Sequence, residues 1–108
     1  MLSPALLAVS GDILLKLGQL DEAEAMFKRL VDRYKDGMFA DAGPVGLGYI
    51  ALARKQPEEA LKIFINALES NPGMSRFKET TLGKLEALIA TGQLDEAMKL
   101  SLETAGDK

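Results

Sequence analysis

The chain has 108 residues, 27% of them charged, with 16 acidic and 13 basic side chains and neither histidine nor cysteine. This length allows one domain. The missing residue types exclude Ser-His-Asp and Cys-His nucleophiles, thiolate redox centres, disulfides and zinc sites built on Cys or His. A formal charge of −3 offers no basic surface to a phosphate backbone, so we expect no nucleic-acid partner.

No segment has the pattern of a leader or a membrane span. The longest apolar stretch near the start, from Pro4 to Val9, is too short to cross a bilayer and has no cation before it. We therefore expect a soluble chain without membrane insertion. A chain without cysteine suits the periplasm and the cytoplasm equally, which leaves the compartment open.

The first predicted helix pair begins with strong capping signals. Ser3 is a preferred N-cap residue and Pro4 suits the first helical position, and the helix is expected to stop at Gly18. A second helix opens on Asp21 and Glu22, with one apolar face made of Ala23, Met26, Phe27, Leu30 and Val31. The connector over residues 36–44 is the longest loop-like stretch, and Gly43-Pro44 is expected to break the chain.

The next two pairs follow the same plan. Helices are predicted from about Pro44 to Arg54 and from Pro57 to Ser70, before the break at residues 71–73. The third pair is predicted to begin near Ser75, to stop at Thr91-Gly92 and to restart at Asp95. We find no strand-period segment of useful length.

An internal repeat unites these pairs. The hexapeptide Gly-Gln-Leu-Asp-Glu-Ala occurs at residues 18–23 and again at 92–97, and a degenerate copy lies between them at 55–60. The resulting period of 37 residues is typical of helical solenoids. The pattern predicts an all-α single domain over residues 1–108, with antiparallel helix-turn-helix repeats at about 4–37, 41–74 and 78–108.

These repeats resemble the tetratricopeptide repeat family. The best match is the second copy, with Pro57-Glu58-Glu59-Ala60, Phe64, Ala67 and Pro72. The third copy departs from the family pattern at Ser101 and Thr104. The resemblance implies a right-handed superhelical solenoid that binds proteins or peptides without enzyme activity or a cofactor. A looser similarity of residues 27–40 to bacterial envelope members of the family indicates a bacterial origin.

Two other patterns have structural explanations. Residues 46–51 fit Gly-x-Gly-x-x-Ala, but a dinucleotide site needs a strand before that motif, and here a Gly-Pro break precedes it. The acid pairs at 21–22, 58–59 and 95–96 recur at helix N-termini, where carboxylates interact favourably with the helix dipole. We therefore predict no catalytic, cofactor or metal site.

The resemblance also implies that the first helix of each repeat lines a concave groove. The partner-binding residues predicted there are Asp12, Leu15, Val45, Tyr49, Leu52, Leu82, Glu86 and Ile89. Such a surface suits an apolar helix or extended segment that carries a Lys or Arg. Tyr49 is either the contact anchor or a packing residue of the second repeat, and both interpretations stay open.

The leading hypothesis is a non-enzymatic module that binds a peptide or partner helix in this groove. The alternative is structural self-association as a homodimer through the third repeat, because no capping helix follows it. The same feature also fits a fragment of a larger scaffold protein.

Overall fold

The structure, a computed structural model, describes residues 3–35, 39–70 and 76–106. Over these residues it is all-helical, without a strand. The helices are α1 (Pro4–Lys16), α2 (Leu20–Arg33), α3 (Ala42–Ala53), α4 (Pro57–Ser70), α5 (Phe77–Ala90) and α6 (Leu94–Gly106). Consecutive helices pack against each other, and α3 also contacts α1 and α5. The predicted all-α arrangement of helix pairs is confirmed.

Local signals explain most of the helix ends. The Ser3 hydroxyl accepts a hydrogen bond from the Leu6 amide at 3.2 Å, so the predicted N-cap of α1 is confirmed. The predicted start of α3 near Pro44 was two residues late, since the helix begins at Ala42. Pro44 lies in the first turn, where backbone amides have no acceptor within the helix. The missing amide hydrogen of proline therefore removes no helical hydrogen bond. Ser75, the predicted start of the third pair, and the predicted break at 71–73 lie outside the described residues.

The turn inside each helix pair has the same backbone conformation. Its central residue has a positive φ, 81° at Gly18, 64° at Lys55 and 79° at Gly92. In the first turn the Gly18 amide donates to the Leu15 carbonyl, and the next amide donates to the carbonyl of residue 14. The other two turns repeat this Schellman pattern at the same offsets. The 37-residue period therefore extends to the backbone angles, although only the middle turn lacks glycine.

We expect Lys55→Gly to stabilise the protein by about 0.5 to 1 kcal/mol, because a left-handed conformation strains any residue with a Cβ. Gly18→Ala should cost a similar amount. A Cβ on Gly18 would meet no atom within 4 Å, so this second variant measures the conformational penalty alone. Urea unfolding of both variants checks the pair. A Lys55→Gly protein less stable than the parent would contradict the strain.

The pairs are joined by two phenylalanines that fill spaces left by glycines. Phe27 on α2 is fully buried, and a Cβ added to Gly11 on α1 or Gly46 on α3 would overlap its ring. One period later, Phe64 on α4 is fully buried in the same way against Gly48 on α3 and Gly83 on α5. Each ring therefore lies between two first helices and holds neighbouring pairs together.

The third pair is built differently at these positions. Leu85 stands where Gly11 and Gly48 stand in the earlier copies, and Ser101 replaces the phenylalanine. The larger residue has thus moved from the second helix to the first. Among the described helices, α6 packs only against α5.

We expect Gly46→Ala to cost about 1 to 3 kcal/mol, since the methyl group overlaps the buried Phe27 ring. The added helix propensity of alanine recovers part of this loss. In a Phe27→Leu background the same substitution should cost much less, because the smaller side chain leaves room. A double-mutant cycle by denaturant unfolding measures the difference, and additive costs would show that the two residues do not interact.

Candidate functional site

The predicted partner-binding residues occupy three positions of the repeat. Asp12, Tyr49 and Glu86 are 37 residues apart and share one position. A second position, one helical turn later, holds Leu15, Leu52 and Ile89. A third holds Val45 and Leu82. At the third position Val45 is buried, whereas the residues at the first two positions are at least partly exposed.

Val45 cannot serve as a binding residue in this structure. Its side chain is 0% exposed and belongs to the buried cluster around Phe64 and Ala87, between α3, α4 and α5. Ala8, at the same position of the first repeat, is 1% exposed. The prediction for Val45 was therefore wrong, because the next helix pair covers this position. Leu82 is 58% exposed, and it shares the position that stacks helix pairs.

Tyr49 lies at the centre of the remaining residues. Its hydroxyl donates a hydrogen bond of 2.6 Å to the backbone carbonyl of Glu79 on α5. Its ring meets Phe64 edge to face, with ring centroids 5.2 Å apart. Tyr49 therefore packs within the fold and also keeps part of its ring at the surface, where it is half-buried.

Arg76 also lies at this surface, although it was not predicted from the sequence. Arg76, just before α5, lies 3.3 Å from a carboxylate oxygen of Glu79 and 3.9 Å from one of Asp12 on α1. The spacing of Arg76 and Glu79 in the sequence is compatible with a local pair. The contact with Asp12 depends on how α1 and α5 lie in space, and no sequence signal indicates it.

A cleft of about 300 Å³ opens beside Tyr49. It is lined by Asp12, Leu15, Lys16, Gly46, Tyr49 and Glu79. The structure thus brings Asp12, Leu15 and Tyr49 together. Leu52 is half-buried against the second core cluster, and Glu86 and Ile89 are exposed on α5. We use the name first-helix face for the residues at these two repeat positions, Asp12, Leu15, Tyr49, Leu52, Glu86 and Ile89.

The electrostatic environment of this face is acidic around Tyr49. Burial, followed by the nearby carboxylates of Glu86 and Glu79, raises the pKa of Tyr49 to about 12. Glu86 therefore acts on the same ring as the residues of the cleft, although it does not line the cleft itself.

Two properties of the described residues bear on other functions. No cluster of three or more metal-ligating side chains was found in that part of the chain. Over the same residues, none of the helices combines the length and apolar character needed to cross a membrane.

The fold defines an α-helical repeat protein in which stacked helix pairs present a continuous row of first helices. Family models of the tetratricopeptide repeat match residues 9–75 and residues 51–103. The chain belongs to the tetratricopeptide repeat family. Repeats of this family generally mediate interactions between proteins, and domains built from them are typically non-catalytic. Comparison with curated proteins and with solved structures found no match.

We expect Tyr49 to titrate at about pH 12, compared with 10.0 for an unperturbed tyrosine. Because folding raises the pKa, the neutral phenol stabilises the folded state below pH 10, and this stabilisation is lost as the pH rises through about 12. Tyr34→Phe leaves Tyr49 as the single tyrosine, and its absorbance at alkaline pH reports the midpoint. A midpoint near 10 in the folded protein would contradict the burial.

Proposed function

We propose that the chain is a non-enzymatic module whose first-helix face binds an apolar peptide segment that carries a Lys or Arg. The observation that carries this proposal is the repetition of side chains along the face. Leu15, Leu52 and Ile89 recur at one position of three successive first helices. A row of apolar side chains with this spacing matches a partner that lies across the helices.

The charges favour a cationic partner. Asp12, Glu79 and Glu86 supply carboxylates on or beside the face, and Arg76 lies against the first two. Glu86 is exposed, and the structure gives it no ion pair among the described residues. A Lys or Arg of the partner that approaches Glu86 would therefore meet an uncompensated carboxylate, and would be steered there by the field of the face.

Two details limit which residues supply affinity. The Tyr49 hydroxyl already donates to Glu79, so a partner gains mainly the exposed part of the ring. Ile89 is 57% exposed, which leaves most of its apolar surface available for burial. We infer that Leu52, Ile89 and Glu86 contribute most to binding. The Asp12–Arg76 pair instead holds the side chains at the cleft in position.

The experiment is a selection of displayed peptides on the immobilised chain. We expect enriched peptides to combine aliphatic residues with Lys or Arg. The double variant Ile89→Asp/Glu86→Lys should bind them roughly tenfold more weakly, a loss of about 1.4 kcal/mol, because it removes apolar contact and reverses the charge.

The matched control is Ala25→Asp/Glu58→Lys, which makes the same change in charge at exposed positions of the second helices. It should retain the parent affinity. Enriched peptides that bind all three proteins equally would reject the first-helix face as the binding surface, and enrichment of acidic peptides would reject the proposed partner chemistry.

A further inference from the structure

One end of the helix stack exposes an apolar stripe on α1 and on Leu17, the residue that follows it. Leu6, Val9, Ile13 and Leu17 are exposed to 53, 53, 54 and 64%. Their spacing of three and four residues places them along one side of the helix. Four large apolar side chains in a row are unusual on a surface that has no partner.

The repeat shows what this stripe is built for. One period later, the equivalent positions are Gly43, Gly46 and Ile50 on α3 and Arg54 just after it. All four contact α2 or are buried in the core: Gly46 receives the Phe27 ring, and Arg54 pairs with Glu24 of α2 at 3.1 Å. The stripe is therefore the side with which a first helix packs against a preceding helix pair.

The opposite end carries the matching recess. A cleft of about 580 Å³ lies between α5 and α6, with Phe77, Thr81, Leu82, Leu100 and Thr104 among its lining residues. In the first two pairs, the first helix of the following pair covers this region. Ala8 and Val45, which are equivalent to Leu82, are 1 and 0% exposed, whereas Leu82 itself is 58% exposed.

The side chains of the two ends are complementary at two of the positions that join helix pairs elsewhere. Inside the stack a large residue on the second helix, Phe27, meets a glycine on the next first helix, Gly46. At the ends, the corresponding residues are the small Ser101 on α6 and the larger Val9 on α1. At the ends the larger residue is thus on the first helix and the smaller one on the second helix, the reverse of the arrangement inside the stack. The combined volume of the two side chains is therefore partly conserved.

A second pair of positions agrees with the first. Arg54, just after α3, and Glu24 of α2 form an ion pair inside the stack. Their counterparts at the ends are Leu17 and Met98, which are both apolar and are 64 and 61% exposed. A salt bridge is thus replaced by two side chains that would bury each other.

We propose that α1 of one copy docks in the α5–α6 cleft of a second copy, in the register of the 37-residue period. The occupant is a second copy because the chain itself carries both matching surfaces. Such a contact joins unlike patches, so it is heterologous and extends head to tail without closing into a dimer. It uses neither Leu52 nor Glu86 and is independent of the proposed peptide site.

The test combines variants that each block one surface. Val9→Arg blocks the α1 stripe, and Ser101→Arg blocks the α5–α6 cleft, since either change would bury an unpaired charge. We expect the average mass of the parent chain to rise past that of a dimer between about 1 µM and about 1 mM in sedimentation experiments. Each variant alone should stay monomeric, whereas an equimolar mixture should form dimers, because each variant keeps the surface that the other lacks.

The controls Ala25→Arg and Ser70→Arg add the same charge at exposed positions of α2 and α4, and should associate like the parent. Circular dichroism confirms that all variants fold. The proposal is overturned by a parent chain that is monomeric throughout this range. It is equally overturned if association stops at a dimer, if mixing the two blocked variants restores nothing, or if blocked and parent chains associate alike.

Discussion

The contact between a phenylalanine ring and two glycines of adjacent first helices governs the rest of this structure. Phe27 and Phe64 can reach between helix pairs only because residues 11, 46, 48 and 83 lack side chains. Once a ring occupies that space, the distance and register between neighbouring first helices are set. Those two quantities place Asp12 near Arg76, and Tyr49 near the Glu79 carbonyl. The packing of the two phenylalanine rings against these glycines therefore determines the geometry of the candidate binding surface.

Much of the fold follows from local sequence signals. The hexapeptide copies mark the turns, and α4 runs from Pro57 to Ser70 as its proline and its terminal break predict. The start of α3 was misjudged because proline has two roles: it breaks a helix interior but is harmless in the first turn. Likewise, nothing in the residue type of Lys55 indicates a left-handed turn. Only its position, 37 residues from Gly18 and from Gly92, does so.

The candidate site was less accessible to the same reasoning. Residues at positions 12, 15, 49 and 52 were assigned to a groove through the resemblance to the repeat family, which implies that the first helices line it. A family resemblance alone does not say which residues of a first helix the next helix pair covers in this chain. Val45 was therefore placed in a groove, although it lies under α5. The Arg76 contact with Asp12 joins residues far apart in the chain, and such contacts depend on the stacking geometry.

The exchange of large and small residues in the third pair means that the repeats are not interchangeable building blocks. A duplicated second repeat would carry Phe64 on its exit side and Gly46 on its entry side, so another copy could be inserted beside the original without changing the contact. A duplicated third repeat would instead place Ser101 opposite Gly83, and Leu85 alone would fill part of the space that an aromatic ring occupies in the earlier repeats. A further copy of the second repeat would thus pack better in this array than a further copy of the third.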